Sequence, residues 1–214
     1  MAERKRPRRT RERIVETSLV MFNRLGEPNV TTADIADEMG ISPGNLYYHF
    51  RNKDEIIGEL FATLERRLDA LLDPRVRGVV NVEDLWFFLH LLFEAMWDYR
   101  FLYRDLDEIL SRSRKLTTHF ASILRRGTAT VSALCRSMVD DGTMLASERE
   151  IAAIAENVAL VATFWISYQR IAAQQPDAAA VNLDRAAYQV LSLIAPFLQG
   201  SSRALIDRLS QDYL

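Results

Sequence analysis

The side chains best suited to binding chemistry lie between positions 31 and 53 of this 214-residue sequence. Gly44 would let a helix come close to a surface, and the Asn45 amide both donates and accepts hydrogen bonds, as the N6 and N7 edge of adenine requires. Thr32, Ser42 and Lys53 each stand where a helix is predicted to begin. Helix N-termini present unpaired N–H groups and a partial positive charge, which attract phosphate oxygens. The pattern therefore indicates contacts with a nucleic-acid backbone and with base edges.

Two predicted helices lead up to these residues. The apolar residues of positions 10–25 recur every three or four places, which predicts an amphipathic first helix that ends at Gly26. Thr31 or Thr32 is predicted to cap a short second helix, and Gly40 ends it where a left-handed backbone angle turns the chain.

A third helix is predicted to present the candidate binding residues. Ser42 caps it, and Pro43 takes the first helical position, where its missing N–H costs nothing. Leu46 and Phe50 stand four residues apart and face inward. The exposed residues of this helix are Gly44, Asn45, Tyr47, Tyr48 and His49. A longer helix followed by two short ones across a glycine turn is the layout of a helix-turn-helix DNA reader.

The rest of the chain is predicted to form seven more helices and no strand. Asn52 and Glu55 begin a fourth helix that extends to Asp73. After the loop 73–81, which Asn81 ends as a cap, the segment LWFFLHLLFEAMW is apolar on every side and must be buried. Further apolar stripes predict helices over 101–110, 116–142, 147–168 and 183–196, and a short one at the C-terminus. The fold class is therefore all-α. A three-helix helix-turn-helix domain with a basic arm occupies 1–53, and helix four links it to a larger helical bundle over 54–214.

Charge is divided unevenly along the chain. The whole sequence has 27 basic and 29 acidic residues and a net charge of −2. Residues 1–53 carry a net charge of +3, and the remainder carries −5. The Arg-rich arm MAERKRPRRTR is predicted to be mobile. Both a solubilising tail and extra phosphate or minor-groove contacts stay open for it.

Composition argues against several classes of protein. The chain has only 8 Gly and 6 Pro, which favours long helices over an all-β or Rossmann-type fold. Cys135 is the single cysteine, so the expected compartment is a reducing cytoplasm. The longest uncharged stretch runs 17 residues from Ala186 to Ser202 and is too short and too polar to cross a bilayer.

The stretch from Arg11 to Leu60 resembles the N-terminal domain of the TetR (tetracycline-repressor-like) family of transcriptional regulators. The matching positions, in order, are Ile14, Leu19, Phe22, Gly26, Thr31, Thr32, Ile35, Ala36, Gly40, Ser42, Gly44, Leu46, Tyr47, Phe50 and Lys53. Ser18, where the family commonly has Ala, is a mild departure. The rest of the chain resembles the family only in being helical.

The resemblance implies a cytoplasmic, ligand-responsive transcriptional regulator of bacterial type, most often a repressor. The residues that it places on the DNA backbone are Thr32, Ser42, Tyr48, His49 and Lys53, with Thr31 beside them. The residues that it places against base edges are Pro43, Gly44, Asn45 and Tyr47.

A palindromic operator requires a homodimer whose readers stand about 34–36 Å apart. The resemblance places the interface in the last two long helices, here 147–174 and 183–198. Candidate interface residues are Trp165, Tyr168, Leu191 and Ile194. A stripe at helical spacing is equally typical of an intrachain core, so both interpretations stay open for these four.

Bulky side chains in the centre of the chain suit a small apolar or amphipathic effector. The candidates for such a site are Trp86, His90, Phe93, Met96, Trp97, Phe101, Phe120 and Phe164. Whether they line a cavity or fill a core stays open. His90 stands alone, which is more typical of a hydrogen-bonded core residue than of a metal ligand, and no metal or cofactor is expected.

Two other function classes compete with a DNA-binding regulator. An enzyme is disfavoured because the sequence has no Gly-rich phosphate loop, and its three His lack an evident nucleophile or metal partner. A helical interaction module that does not bind DNA is the second alternative. The placement of Tyr48, Lys53 and the basic arm suits phosphates and argues against it.

Overall fold

The computed structural model describes residues 7–72, 82–172 and 183–213, and these ranges are helical apart from short turns. The α-helices in chain order are α1 Pro7–Leu25, α2 Thr32–Glu38, α3 Pro43–His49, α4 Lys53–Leu72, α5 Val82–Asp98, α6 Arg100–Arg104, α7 Leu106–Arg112, α8 Arg114–Asp140, α9 Glu148–Ala172, α10 Leu183–Ile194 and α11 Gly200–Tyr213. Within the described ranges, the β-type pairing is one isolated bridge between Met144 and Leu198. The predicted all-α fold is confirmed. The loop 73–81 with its Asn81 cap lies outside the described residues.

The first three helices and the start of α4 form a small bundle. Each helix contributes fully buried apolar side chains, among them Ile14, Ile35, Leu46 and Ile56. Burial of one such side chain contributes about 1.5–3 kcal/mol. The turn between α2 and α3 passes through Gly40 at φ 64°, a left-handed conformation that favours glycine. The bundle therefore holds α3 on one side and leaves its other side to solvent.

The N-terminal arm is partly helical. α1 begins at Pro7, earlier than the predicted start at Thr10, and proline suits a first helical position. The Arg11 guanidinium forms an ion pair with Glu59 of α4 and lies 4.5 Å from the centre of the Phe50 ring. The prediction of a mobile arm is therefore wrong for residues 7–11, because this segment continues α1. Residues 1–6 lie outside the described residues, and both interpretations of their charge stay open.

The prediction of a single helix over 101–110 is wrong, because two short helices, α6 and α7, meet at Asp105. The Asp105 backbone has φ −112° and ψ 28°, outside the helical region. Its carboxylate accepts a hydrogen bond from the Glu27 N–H at 3.3 Å. Leu102 and Leu106 are buried on either side of the break, so the apolar spacing continues across it. A tertiary contact therefore interrupts a segment whose local pattern is helical.

The C-terminal bundle is built around α8, α9 and α10. α8 packs along α9, while α10 packs on both α5 and α9. α9 is long and apolar enough to cross a membrane by length and composition. Its stripe through Ile151, Val158 and Trp165 is buried against the other helices of the bundle.

Candidate functional site

Thr31 and Ser42 fix the first turns of α2 and α3. The Thr31 hydroxyl accepts a hydrogen bond from the Asp34 N–H at 3.2 Å, and the Asp34 carboxylate accepts one from the Thr31 N–H at 2.8 Å. This reciprocal pair is a capping box. Hydrogen bonds from the Thr31 hydroxyl and N–H hold the pKa of Asp34 below its ordinary value. At α3, the Ser42 hydroxyl accepts from the Asn45 N–H at 3.2 Å. Both predicted caps are present, with Thr31 as the cap of α2.

The outer side of α3 is free of protein contacts at its first turn. Pro43, Gly44 and Asn45 are exposed, while Leu46 is buried. A Cβ atom placed on Gly44 would have only the Ser42 hydroxyl within 4 Å, at 4.0 Å. No neighbouring atom in the fold therefore requires a glycine at position 44.

Three aromatic residues continue this surface toward the end of α3. Tyr48 is 80% exposed and Tyr47 is 51% exposed. The Tyr47 hydroxyl shares a hydrogen bond of 3.0 Å with the Thr32 hydroxyl, which ties α3 to α2. The prediction that His49 is exposed is wrong, because His49 is half-buried and its ring meets the Tyr48 ring edge-on with centres 5.1 Å apart. Exposed aromatic side chains with polar tips are typical of a binding surface.

Lys53 is less accessible than a phosphate contact by its side chain requires. Its Nζ donates to the main-chain oxygens of Glu27 at 2.9 Å and Val30 at 3.0 Å, and it lies 2.8 Å from the Glu27 carboxylate. Only 22% of the side chain is exposed. A phosphate contact by this ammonium would have to replace bonds that it already makes. At the N-terminus of α4 beside it, the Glu55 N–H already donates to the Asn52 side chain at 2.9 Å. The contact of Lys53 with DNA stays a prediction.

Glu27, which the sequence patterns did not single out, is the centre of a buried charge cluster. Its side chain is fully buried, and Oε1 lies 2.8 Å from Lys53 Nζ and 2.9 Å from Arg112 Nη2. These contacts are at ion-pair distance but lack hydrogen-bond angles at the carboxylate. Burial disfavours the charge of Arg112, but the carboxylates of Glu27, Asp54 and Glu108 together outweigh this effect and raise the Arg112 pKa. Glu27 therefore joins the start of α4 to α7.

A second joint connects α1 to α6. The Phe101 N–H donates to Asn23 Oδ1 at 3.1 Å, and Arg104 Nη2 donates to the Phe22 carbonyl at 2.7 Å. The Asn23 side-chain amide also donates to the Asp98 carbonyl at 2.8 Å. The C-terminal end of α1 is thus bonded to the end of α5 and to α6.

A cavity of about 80 Å³ lies inside the C-terminal bundle. Residues from α4, α5, α6, α8, α9 and α10 line it. Tyr103, Cys135 and Thr163 carry the hydroxyl and thiol groups of the lining, and none of the lining residues carries a charge. The surroundings suit an apolar molecule.

Two of the eight predicted effector residues, Met96 and Phe120, line this cavity. The other six lie outside its lining: Trp86, His90, Phe93, Trp97, Phe101 and Phe164. Sequence reasoning missed most of the wall, including Leu68 and Val131, because an aliphatic residue in a helical stripe carries no signal of a void. Thr163 was missed for the same reason, since it lies within the apolar stripe of α9.

The six other residues have different surroundings. Phe93 and Phe101 are buried in the core, and Phe164 is 44% exposed. Trp86 packs against His90 with ring centres 4.8 Å apart, and the Trp97 ring lies beneath the Arg100 guanidinium.

His90 is hydrogen-bonded, as predicted, but it is half-buried and is not a core residue. Its Nε2 contacts the Asp184 carboxylate of α10, and its Nδ1 lies 3.2 Å from the Trp86 carbonyl. No group of three His, Cys, Asp or Glu residues that could hold a metal ion occurs in ranges 7–72, 82–172 and 183–213.

One side of α9 exposes a line of large side chains. Leu160, Phe164, Tyr168 and Ile171 are 58%, 44%, 60% and 72% exposed, and their spacing of four, four and three residues puts them on one face. Tyr168 is the only one of the four interface candidates in this line. The other three are buried inside the chain's own core: Trp165, Leu191 and Ile194.

Two family models match consecutive parts of the chain. Residues 14–60 match the model described as bacterial regulatory proteins, tetR family, and residues 63–206 match TetR, described as bacterial transcriptional repressor. A solved structure of a TetR-family transcriptional regulator from Marinobacter aquaeolei VT8 is 35% identical, with a TM-score of 0.83. That alignment covers 95% of this chain and 98% of the other.

Curated relatives match over shorter stretches. The HTH-type transcriptional regulator TtgR of Pseudomonas putida is 37% identical over 62 residues, 29% of this chain and 30% of TtgR. The HTH-type transcriptional repressor KstR2 of Mycobacterium tuberculosis is 42% identical over 71 residues, 33% of this chain and 34% of KstR2. These alignments span about a third of each relative's length.

Proposed function

Because the chain belongs to the TetR family and is a ligand-responsive, DNA-binding transcriptional regulator, we propose that it is a cytoplasmic repressor that binds a palindromic operator as a homodimer. The observation that carries the proposal is the two-sided α3. Leu46 and Phe50 anchor one side, while Gly44, Asn45 and Tyr48 are exposed on the other. We assign residues 1–53 to DNA binding and 54–214 to effector binding and dimerisation, with α4 between them. The family consists of regulators, and we assign no residue a catalytic role.

In this proposal α3 enters the major groove of the operator. The Asn45 amide pairs with an adenine edge, which discriminates against other bases by about 1–3 kcal/mol. The remaining base-edge contacts come from Pro43, Gly44 and Tyr47. The residues that contact phosphates are Thr31, Thr32, Ser42, Tyr48 and His49, together with the N-terminus of α4 at Lys53. Phosphate contacts fix the orientation of the protein, and base contacts select the sequence.

The exposed face of α9 supports the proposed dimer. Leu160, Phe164, Tyr168 and Ile171 together form an apolar surface that a second copy of the chain would remove from water. α10 packs beside α9, so the two helices of each subunit would form a four-helix interface. Such a dimer presents two α3 helices to successive major grooves.

The central cavity supports control by a small apolar effector. Its volume of about 80 Å³ is below the roughly 300–1,000 Å³ of typical ligand pockets, so a ligand must move the walls. Leu68 and Leu72 of α4 and Tyr103 of α6 belong to these walls. Lys53, the first residue of α4, forms an ion pair with Glu27. Arg104 of α6 donates a hydrogen bond to the Phe22 carbonyl of α1. A coupling of about 1–3 kcal/mol between the two sites would change operator affinity about 5- to 150-fold.

The direct test is selection of an operator from a random double-stranded DNA library, followed by fluorescence anisotropy with the selected duplex at several salt concentrations. We expect a palindromic site and an affinity that falls steeply with salt. Asn45→Ala should relax the preference at one position of each half-site, whereas Tyr48→Ala should weaken binding to all sequences. Phe87→Ala is the matched control, because this exposed aromatic lies on α5.

Two results would contradict the proposal. If both Asn45→Ala and Tyr48→Ala bind the operator as the wild type does, α3 is not the reader. If no duplex is bound more tightly than random DNA, a helical interaction module without DNA binding becomes the better interpretation.

A further inference from the structure

Two of the residues that line the cavity, Tyr103 and Thr163, carry hydroxyl groups for which no hydrogen bond to a described residue is found. Tyr103 is 4% exposed and Thr163 is 7% exposed, and both line the cavity. The Tyr103 ring is held by edge-on packing against Phe120, with centres 6.3 Å apart. Burial raises the pKa of the Tyr103 phenol, so it stays protonated and can both donate and accept. A buried tyrosine hydroxyl usually has a partner, because burying an unpaired one is costly.

The remaining lining excludes ionic ligands. It consists of aliphatic residues, phenylalanines, methionines, Gly127 and Cys135. Burial raises the pKa of the Cys135 thiol to about 11, so this group is also neutral at pH 7. A carboxylate or an ammonium group would lose its hydration here and find no opposite charge. That loss exceeds what apolar contacts with a small molecule return.

We propose that the effector is an uncharged, largely apolar molecule with a carbonyl or hydroxyl group that hydrogen-bonds to Tyr103. The proposal rests on the proposed function, which makes this cavity the effector site. Tyr103 lies on α6, next to Arg104, which donates to the Phe22 carbonyl of α1. A ligand bonded to Tyr103 therefore acts on the helix that joins the cavity to the DNA-binding bundle.

Three probes with one phenyl ring separate the chemical requirements: acetophenone carries a ketone, ethylbenzene carries no oxygen, and benzoate carries a negative charge. Binding is followed by NMR of methionine methyl groups in the full chain. Met96 and Met138 line the cavity, while Met21 and Met144 are buried elsewhere and serve as internal controls. We expect acetophenone to shift the Met96 and Met138 signals, with an affinity about fivefold higher than that of ethylbenzene, the factor typical of one net hydrogen bond. Benzoate should shift neither signal at the same concentrations.

Variants locate the interaction. Tyr103→Phe keeps the ring and removes the hydroxyl, so it should lower acetophenone affinity to that of ethylbenzene and leave ethylbenzene binding unchanged. Ala162→Phe should fill the cavity and abolish both, while Ala152→Phe, at an exposed position of α9, should change nothing. If Ala162→Phe does not fold, Gly127→Leu replaces it, because an added Cβ there meets no atom within 4 Å.

The proposal is overturned if benzoate binds as well as acetophenone, if the ketone gives no advantage over ethylbenzene, or if no probe binds. It is also overturned if a probe still binds when the cavity is filled. None of these measurements uses DNA. Operator binding without ketone binding would therefore remove this inference alone. Ketone binding without operator binding would remove the proposed function and the effector role, and would leave only the ligand preference of the cavity.

Discussion

Glu27→Gln is expected to destabilise the protein strongly, because it leaves two cations at a buried site without their carboxylate. Glu27 is fully buried, and its Oε1 lies 2.8 Å from Lys53 and 2.9 Å from Arg112. Removing one partner of a buried ion pair costs about 3–5 kcal/mol. Lys53 and Arg112 keep 22% and 33% of their side chains exposed and can regain water, so we expect the lower end, about 3 kcal/mol. For a chain of this size, that lowers the melting temperature by roughly 6–12 °C.

The assay is urea unfolding followed by circular dichroism at a fixed chain concentration, since association changes apparent stability. Glu94→Gln is the matched control, because Glu94 is exposed on α5 and forms no ion pair with a described residue; we expect a change within about 0.5 kcal/mol. The double variant Glu27→Gln with Arg112→Gln should be less destabilised than the sum of the two single variants, because one unpaired cation is also removed. A Glu27→Gln protein as stable as the control would refute the assignment of a stabilising charge cluster.

Three further predictions concern other parts of the chain. Phe164→Glu should convert the proposed dimer to a monomer in light scattering, while Phe87→Glu, an exposed aromatic on α5, should not; equal masses would argue against the α9 interface. Thr31→Val should return the pKa of Asp34 toward its ordinary value. A carboxylate whose pKa is lowered in the folded state stabilises the fold at pH values above its ordinary pKa, and this stabilisation is lost as the pH falls through the lowered pKa. The difference in unfolding free energy between wild type and Thr31→Val should therefore shrink below about pH 4. A difference in urea unfolding that does not change with pH would contradict this. Because burial raises the pKa of Cys135 to about 11, its thiol should react slowly with a thiol reagent near neutral pH until urea unfolds the chain; rapid labelling of the folded protein would contradict this.

The N-terminal helices could be predicted because their signals are local. Ser42, Pro43 and Leu46 define the start and the inner side of α3 within five residues, and Gly40 marks the turn before it. These signals depend on main-chain geometry and on the helical repeat, which neighbouring residues determine. The same reasoning identified Asn45 and Tyr48 as exposed, because they occupy the side opposite Leu46.

The cavity and the charge cluster could not be predicted because they depend on contacts between distant segments. Phe93 and Phe164 look alike in sequence, yet one is buried in the core and the other is exposed on α9. Aromatic composition indicates bulk but not which way a helix faces in the bundle. Glu27 follows a helix-ending glycine, a place where an acidic residue is ordinarily solvated, and its role depends on Arg112 of α7. The motif predicted that Lys53 begins α4. It could not predict that the Lys53 ammonium group already bonds to Glu27 and Val30, because those contacts depend on tertiary structure.

The short length of the recognition helices limits how this protein can be engineered. α2 and α3 have seven residues each, about half the length at which a helix persists alone in water. Each keeps its shape because it packs against a neighbour, α2 against α1 and α3 against α2, with Ile35 and Leu46 fully buried. An isolated peptide with the sequence of α2 and α3 would therefore not keep the DNA sequence preference of the protein. To transfer this preference to another regulator, all of α1 to α3 and the start of α4 would have to be transferred together. The junction between the two proteins would then lie inside α4 rather than at the ends of α3.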